Sequence, residues 1–266
     1  MRSFIIVLAC AALAPTGIKA QALADRIARA GTRTVAFETA SRPEVCGDGA
    51  TSYNDGLSGP RTRWYDGYML LTHEPWDTHI PPCEKGPVRV TVRVVDGTPS
   101  WLRTAAGPAQ ALGDTVTELG VVSSAEASAY LTRLALEGSG RAALEAMAPL
   151  MLIESVPRWE ILERIARDST RISRDRRRAA DYLARGAAGT IAPEPNVDDD
   201  TRSARREAVS ALARQEQRNT EVVPDLLRIA ESNPHRDARV EALYQLGQLA
   251  DPRGVALFER MLRGKP

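Results

Sequence analysis

One spaced phrase, met three times in the second half of the chain, does most to limit the folds open to it: an arginine, an alanine three residues later and a leucine four beyond that. It reads Arg176, Ala179, Leu183, then Arg205, Ala208, Leu212, then Arg239, Ala242, Leu246, so the arginines stand 29 and then 34 residues apart. Steps of three and four put these side chains on one face of a helix. Recurrence at about 20–50 residues is the mark of stacked supersecondary units. The small alanine lets neighbouring helices approach closely, and the leucine fills the space between two helix layers. One unit cannot bury such a face alone, so the phrase demands units that stack.

A companion phrase marks the other helix of each pair: Ile161-Leu162-Glu163-Arg164-Ile165-Ala166, Leu226-Leu227-Arg228-Ile229-Ala230 and Leu257-Phe258-Glu259-Arg260-Met261-Leu262. Ile229 and Met261 lie 32 residues apart, and Ile165 and Ile229 lie 64, so one second helix is missing or degenerate, with Gly186 to Asp200 as its place. Here the sequence resembles bacterial HEAT repeat proteins, in whose consensus a helix reading R-x-x-A-x-x-x-L-G-x follows a D-P-x-type turn. Asp237 to Gly247 and the following Asp251-Pro252-Arg253-Gly254 carry the resemblance most fully, whereas the two earlier copies lack the glycine. The resemblance covers the C-terminal half. It implies that Arg176, Arg205 and Arg239 tie one repeat to the next, with Ala179, Ala208 and Ala242 at the stacking positions.

Helical spacing begins near Ser123, where Ser124-Ala125-Glu126 suits a helix N-terminus. A first helix carries Tyr130, Leu131, Leu134 and Leu136 and stops at Gly138-Ser139-Gly140. A second is expected from Arg141 to Ile153, and a third from Pro157, a residue suited to a first helical turn. Asp198-Asp199-Asp200-Thr201 reads as an N-terminal cap.

Ahead of residue 120 the pattern is that of strands. Val88, Val90, Val92 and Val94 alternate with Arg89, Thr91 and Arg93, Asp96-Gly97 supplies a tight turn, and Pro99 to Thr104 returns with Trp101. Arg33 to Thr39 and Tyr68 to Thr72 are further strands, and the turn-rich stretch from Cys46 to Pro60 is expected to be an exposed loop. Asp48 and Asp55 within it read as turn residues, since an EF-hand's ligand series is missing. Met1-Arg2-Ser3 followed by the apolar run Phe4 to Ala14 reads as a signal peptide over 1–22, cut after Ala20-Gln21-Ala22, so the mature chain begins near Leu23. Val7-Leu8-Ala9-Cys10 loosely resembles a lipoprotein signal with Cys10 as the acylated residue, but the apolar run before it is very short. Export leaves Cys46 and Cys83 in an oxidising compartment, where they are expected to pair.

The whole is expected to be α+β: a small disulfide-tethered antiparallel β domain over 23–120, then an all-α HEAT-like helical-repeat domain, an α-solenoid, over 121–266. Thirty-five basic residues against 34 acidic ones leave a net charge of +1, too little to hold nucleic acid by bulk field. No transmembrane span is expected in the mature chain, and no cofactor. One cluster could do chemistry: His73, Glu74, Asp77 and His79, as zinc ligands or acid and base of a metal-dependent hydrolase. Pro75 interrupts the helix that an H-E-x-x-H site needs, and the histidines are six apart, so a surface loop is the favoured reading. Arg171, Arg174 and Arg178 form a candidate patch for an anion or acidic partner, although such a run on a helix more often marks a solvated face. With no nucleophile elbow, phosphate loop or dinucleotide fingerprint in the sequence, the expectation is a non-catalytic scaffold of the envelope or periplasm that holds a protein through its repeats.

Overall fold

The computed structural model describes residues 16–50, 52–55, 62–65, 68–71, 83–110, 115–216 and 222–264. Helix α1 (Thr16–Ala28) leads into β1 (Thr34–Thr39), β2 (Cys46–Gly47), β3 (Ser52–Asn54), β4 (Thr62–Tyr65), β5 (Tyr68–Leu71), β6 (Val88–Val95), β7 (Thr98–Ala106) and β8 (Val116–Val121). Then come α2 (Ser124–Glu137), α3 (Gly140–Glu145), α4 (Met147–Leu152), α5 (Arg158–Arg167), α6 (Ser173–Gly189), α7 (Asp199–Glu216), α8 (Val222–Ser232), α9 (Arg236–Leu249) and α10 (Pro252–Leu262).

The main sheet has the order β7-β6-β1-β8. Its centre is β6, where Val88, Val90, Val92 and Val94 are all fully buried, each worth about 1.5 kcal/mol or more of transfer free energy. The β6–β7 turn is built by Asp96 (φ 49°) and Gly97 (φ 75°), both left-handed as a type I′ hairpin requires. One expectation fails: the sheet is mixed, because β1 runs antiparallel to β6 but parallel to β8. The hairpin occupies one side of β1, and β8 takes the other edge in the same direction as β1. It is largely exposed there, so no apolar alternation announces it.

A second antiparallel sheet, in the order β2-β3-β4-β5, begins inside the stretch expected to be an exposed loop. Tyr53, Asn54 and Asp55 are buried. The correction has a steric cause. Gly49 sits at φ +79°, and a Cβ there would fall 1.9 Å from the carbonyl oxygen of Pro108, so glycine lets this segment close down on the end of β7. Asp48 makes the turn, accepting from the Ala50 N–H at 2.9 Å. The Cys46–Cys83 disulfide forms, and beside it Gly47 and Glu84 exchange two backbone hydrogen bonds of 2.9 Å, so β2 is fastened to the lead-in of β6.

Helices α1 to α4 cover the main sheet. Leu23 and Ile27 of α1 are buried against α2, and the Phe37 ring meets Tyr130 edge-on at 6.4 Å. Ser123 caps α2, its Oγ accepting from the Glu126 N–H at 3.2 Å. The single helix expected from Arg141 to Ile153 is broken into α3 and α4 at Ala146. Pro149 is the reason: it has no N–H to give to the carbonyl of Glu145, and its ring crowds that group. The apolar core is nevertheless continuous, running from Leu23 through the sheet and α5–α6 to Phe258.

The repeats depart from a simple stack. Helices α7 and α9 lie side by side and parallel, with Arg205 4.0 Å from Asp237 and Ser210 donating to Glu241 at 2.6 Å, as successive repeats should. The next neighbour of α9 is α6, not on the far side of α7, and α6 runs antiparallel to it. Likewise α5 runs antiparallel to α10, joined by Arg167 to Glu259 at 2.8 Å and Arg263 to Glu163 at 3.1 Å. The α5–α6 pair is therefore docked in reverse on the α9–α10 pair, and α7 is left at the edge. No helix fills 190–198. That segment crosses over the start of α9, where Glu194 accepts from the Arg236 N–H at 3.1 Å and pairs with Arg205 at 3.2 Å. Downstream caps follow the sequence: Asp198 accepts from the Thr201 N–H at 2.8 Å, and Asp251 from the Arg253 N–H at 2.9 Å.

Close approach of α6 and α9 depends on Gly247, where a Cβ would fall 2.9 Å from that of Ala184. Gly247→Ala is expected to destabilise the chain by about 1–3 kcal/mol, read by urea denaturation, through overpacking. The Glu194 carboxyl is held below its ordinary value by the Arg236 N–H, and further by Arg205 and His235. A depressed acid stabilises the fold above its unfolded pKa, and that contribution fades as pH falls through the lower folded value. Glu194→Gln is therefore expected to lower the melting temperature at neutral pH and to narrow the gap to the parent chain below about pH 4.

Candidate functional site: a cleft beside the outer strand

A cavity of about 510 Å³ lies between the outer strand β7, helices α3 and α4, and α6. Tyr53 of β3 and Trp101 are among its lining rings, and Arg103, Arg141, Arg178 and Glu145 are its charged lining groups. Strand alternation puts Trp101 and Arg103 on one face of β7, opposite the core-facing Leu102. Arg141 is exposed on α3, donates to Glu145 at 2.6 Å and lies 5.7 Å from the Trp101 ring centre. The second oxygen of Glu145 accepts from the Leu102 N–H at 2.8 Å, so one carboxylate ties α3 to the strand edge.

Behind the cleft the wall of α6 is ionic and buried. Arg185 pairs with Asp181 one turn away, and its guanidinium lies 5.5 Å from the Tyr182 ring centre. Burial pushes the Asp181 carboxyl up, against the pull of Arg185 and Arg178. Burial also raises the Tyr182 and Tyr53 hydroxyls, which stay protonated and able to donate. Burial works against the charge of Arg178, but Tyr182, Asp181 and Tyr53 outweigh it and the guanidinium is held more firmly protonated. The cleft thus joins aromatic rings with charged groups that their neighbours hold in place. A smaller cavity of about 390 Å³ lies between α1, the β6–β7 turn and α2.

The residues singled out in the sequence are scattered. His73, Glu74, Asp77 and His79 lie outside the described residues, and among the described residues no group of three or more His, Cys, Asp or Glu could hold a metal. Arg171, Arg174 and Arg178 have different surroundings, although the first two both approach Asp175. Arg171 is spent inside the fold on the Leu136 carbonyl and on Asp168 and Asp175, Arg174 is exposed beside Asp175, and only Arg178 reaches the cleft. Arg205 bridges Glu194 and Asp237, while the Nε atoms of Arg176 and Arg239 are buried without a hydrogen bond among the described residues. Ala179 and Ala242 are fully buried; Ala208 is exposed, because no helix among the described residues packs on that side of α7. What the sequence reading passed over is Asp181 with Arg185. The signal was there: an arginine inside the run Leu183-Ala184-Arg185-Gly186-Ala187-Ala188 must find a partner, and an acid four residues earlier is the nearest.

Residues 196–266, which hold α7 to α10, match the HEAT repeats family. Over these residues the chain is similar to HEAT repeats. Such repeats generally mediate protein–protein interaction. No curated protein and no solved structure matches the chain. Among the described residues no helix is long and apolar enough to cross a membrane.

Removing one partner of the Arg185–Asp181 pair strands a buried charge. Arg185→Met is expected to cost about 3–5 kcal/mol in urea denaturation, and the double change Asp181→Leu with Arg185→Met to recover more than half of that.

Proposed function

We propose that this chain is an exported, non-catalytic scaffold of a bacterial envelope or periplasm whose helical-repeat surface holds a protein partner. The observation that carries the reading is the HEAT repeats match over 196–266, folded as two parallel-stacked helix pairs with one edge left open. On α9 the phrase alanine, Ala242, is buried between helices, whereas its counterpart Ala208 on α7 is exposed together with Ala204 and Ala211. A position shaped for helix packing but left uncovered is where a partner helix gains close contact. Export is supported by the signal-like N-terminus and by the Cys46–Cys83 disulfide, which suits an oxidising compartment. The buried residues described in α1, Leu23 and Ile27, lie beyond the expected cut after Ala22, so a processed chain keeps both.

Arginine at exposed helix positions leaves the fold intact while blocking close approach. After mild crosslinking in the native envelope, the full chain is expected to recover a partner, and Ala208→Arg with Ala211→Arg to recover several-fold less of it. A monodisperse chain with no crosslinked partner would defeat the reading.

A further inference from the structure

We propose that the cleft beside β7 binds a neutral gluco-configured sugar, whose flat C–H face lies on the Trp101 ring while its hydroxyls bond to Arg141 and Glu145. This site is separate from the repeat surface, and the proposal does not depend on that reading. The class of occupant follows from how the charges of the cleft are already paired. Glu145 accepts from the Arg141 Nε at 2.6 Å and from the Leu102 N–H at 2.8 Å. Arg178 is hydrogen-bonded to the Tyr182 side chain and lies near Asp181, and Arg103 is engaged within the chain. Each guanidinium therefore has a partner before any ligand arrives, and charge alone does not select an anion. What the cleft does offer is directed polar groups. Arg141 spends only its Nε, so its terminal N–H groups remain free, and each oxygen of Glu145 keeps a lone pair beyond the bond it accepts. A donor and an acceptor standing side by side suit a group that does both, and a hydroxyl is such a group.

The aromatic ring narrows the choice among hydroxyl-bearing ligands. A gluco-configured pyranose holds its hydroxyls at the rim, and its axial C–H bonds make flat apolar faces that an open-chain polyol lacks. Trp101 lines the cleft half-buried, as rigid apolar area fit for such a face. The Arg141 side chain is 65% exposed and lies 5.7 Å from the ring centre, so the groups that take hydroxyls stand beside the ring that takes the C–H face. Leu144 of α3 and Ala148 of α4 add apolar wall. A cavity of about 510 Å³ is within the range of small-molecule sites.

The test is isothermal titration calorimetry of the full chain with cellotriose, a soluble β-1,4-linked trimer of glucose. Binding is expected, and it should weaken about tenfold in Trp101→Ala, which removes the ring, and about tenfold in Arg141→Met, which keeps an apolar stem and removes the donors. Circular dichroism verifies that Trp101→Ala folds, and Arg141→Met, at an exposed helix position, serves where it does not. Sorbitol, which carries hydroxyls without a ring face, is expected not to bind. The proposal falls if cellotriose fails to bind, if sorbitol binds as well, or if either folded variant binds unchanged. Tighter binding of the β-1,4-linked glucuronate trimer than of cellotriose would also overturn it, by showing that the guanidiniums have charge to spare for a carboxylate.

Discussion

The near contact of α6 with α9 is the constraint on which the rest of the molecule hangs. At Gly247 the α9 backbone comes within reach of Ala180, Asp181 and Ala184, an approach that a side chain on Gly247 would crowd. One face of α6 is consumed by this seam, and the helix thereby joins the repeats to everything before them. Tyr182 and Arg178 on the same helix form a wall of the cleft, so the packing of the repeats sets the position of that wall relative to β7. The crossing segment 190–198 serves the same seam. Glu194 takes over the capping of α9, whose own N-cap residue, His235, makes no side-chain cap bond.

Arginine holds the irregular joints. Guanidinium groups reach backbone carbonyls at helix ends, at turns and on the edge strand β8: Arg26 to Leu119, Arg42 to Val156, Arg158 to Met151, Arg171 to Leu136 and Arg236 to Ile191. Each bond fastens a connection that no repeat or ladder would hold, and a flat five-donor group suits that task better than an ammonium. The arrangement has an electrostatic cost. Burial pulls Arg158 down to about 10, and neighbouring Arg42 adds to the pull, while Trp159 receives the guanidinium face 4.4 Å from its ring centre. The junction between α4 and α5 is therefore held by two guanidiniums bonded to carbonyls, with Glu44 3.9 Å from Arg158 to offset their repulsion.

Local pattern carried into the structure where one periodicity acted alone. The valine alternation of β6, the Asp96-Gly97 turn and the Ser123 and Asp198 caps all follow from neighbours in sequence, and the cysteine pair from the expectation of an oxidising compartment. The misses are relations between distant segments. Pairing of β1 with β8 turns on which edge of β1 remains free after the hairpin forms, and β8 buries too little to mark itself. The strands near Cys46 were hidden by glycines that read as loop residues, although here they permit contact with Pro108. The phrase at Arg176 is a true helix with a buried alanine, yet periodicity says nothing about direction. Its helix follows its partner α5 instead of preceding it, and the pair docks reversed. The cleft escaped because its members come from β3, β7, α3 and α6, which no spacing links.

The reversed docking also explains why α7 is left open. In a sequential stack the pair before α7 would cover its outer face and bury Ala208 as Ala242 is buried. Instead α5 and α6 take up the other side, against α10 and α9, so the most fully formed repeat lies in the interior and the edge falls at α7. The chain has enough helix to cap one side of its two-repeat stack, and it caps the side nearer the sheet. That choice secures the cleft wall and leaves a helix-packing face uncovered, which makes the α7 edge a consequence of how the cleft is built.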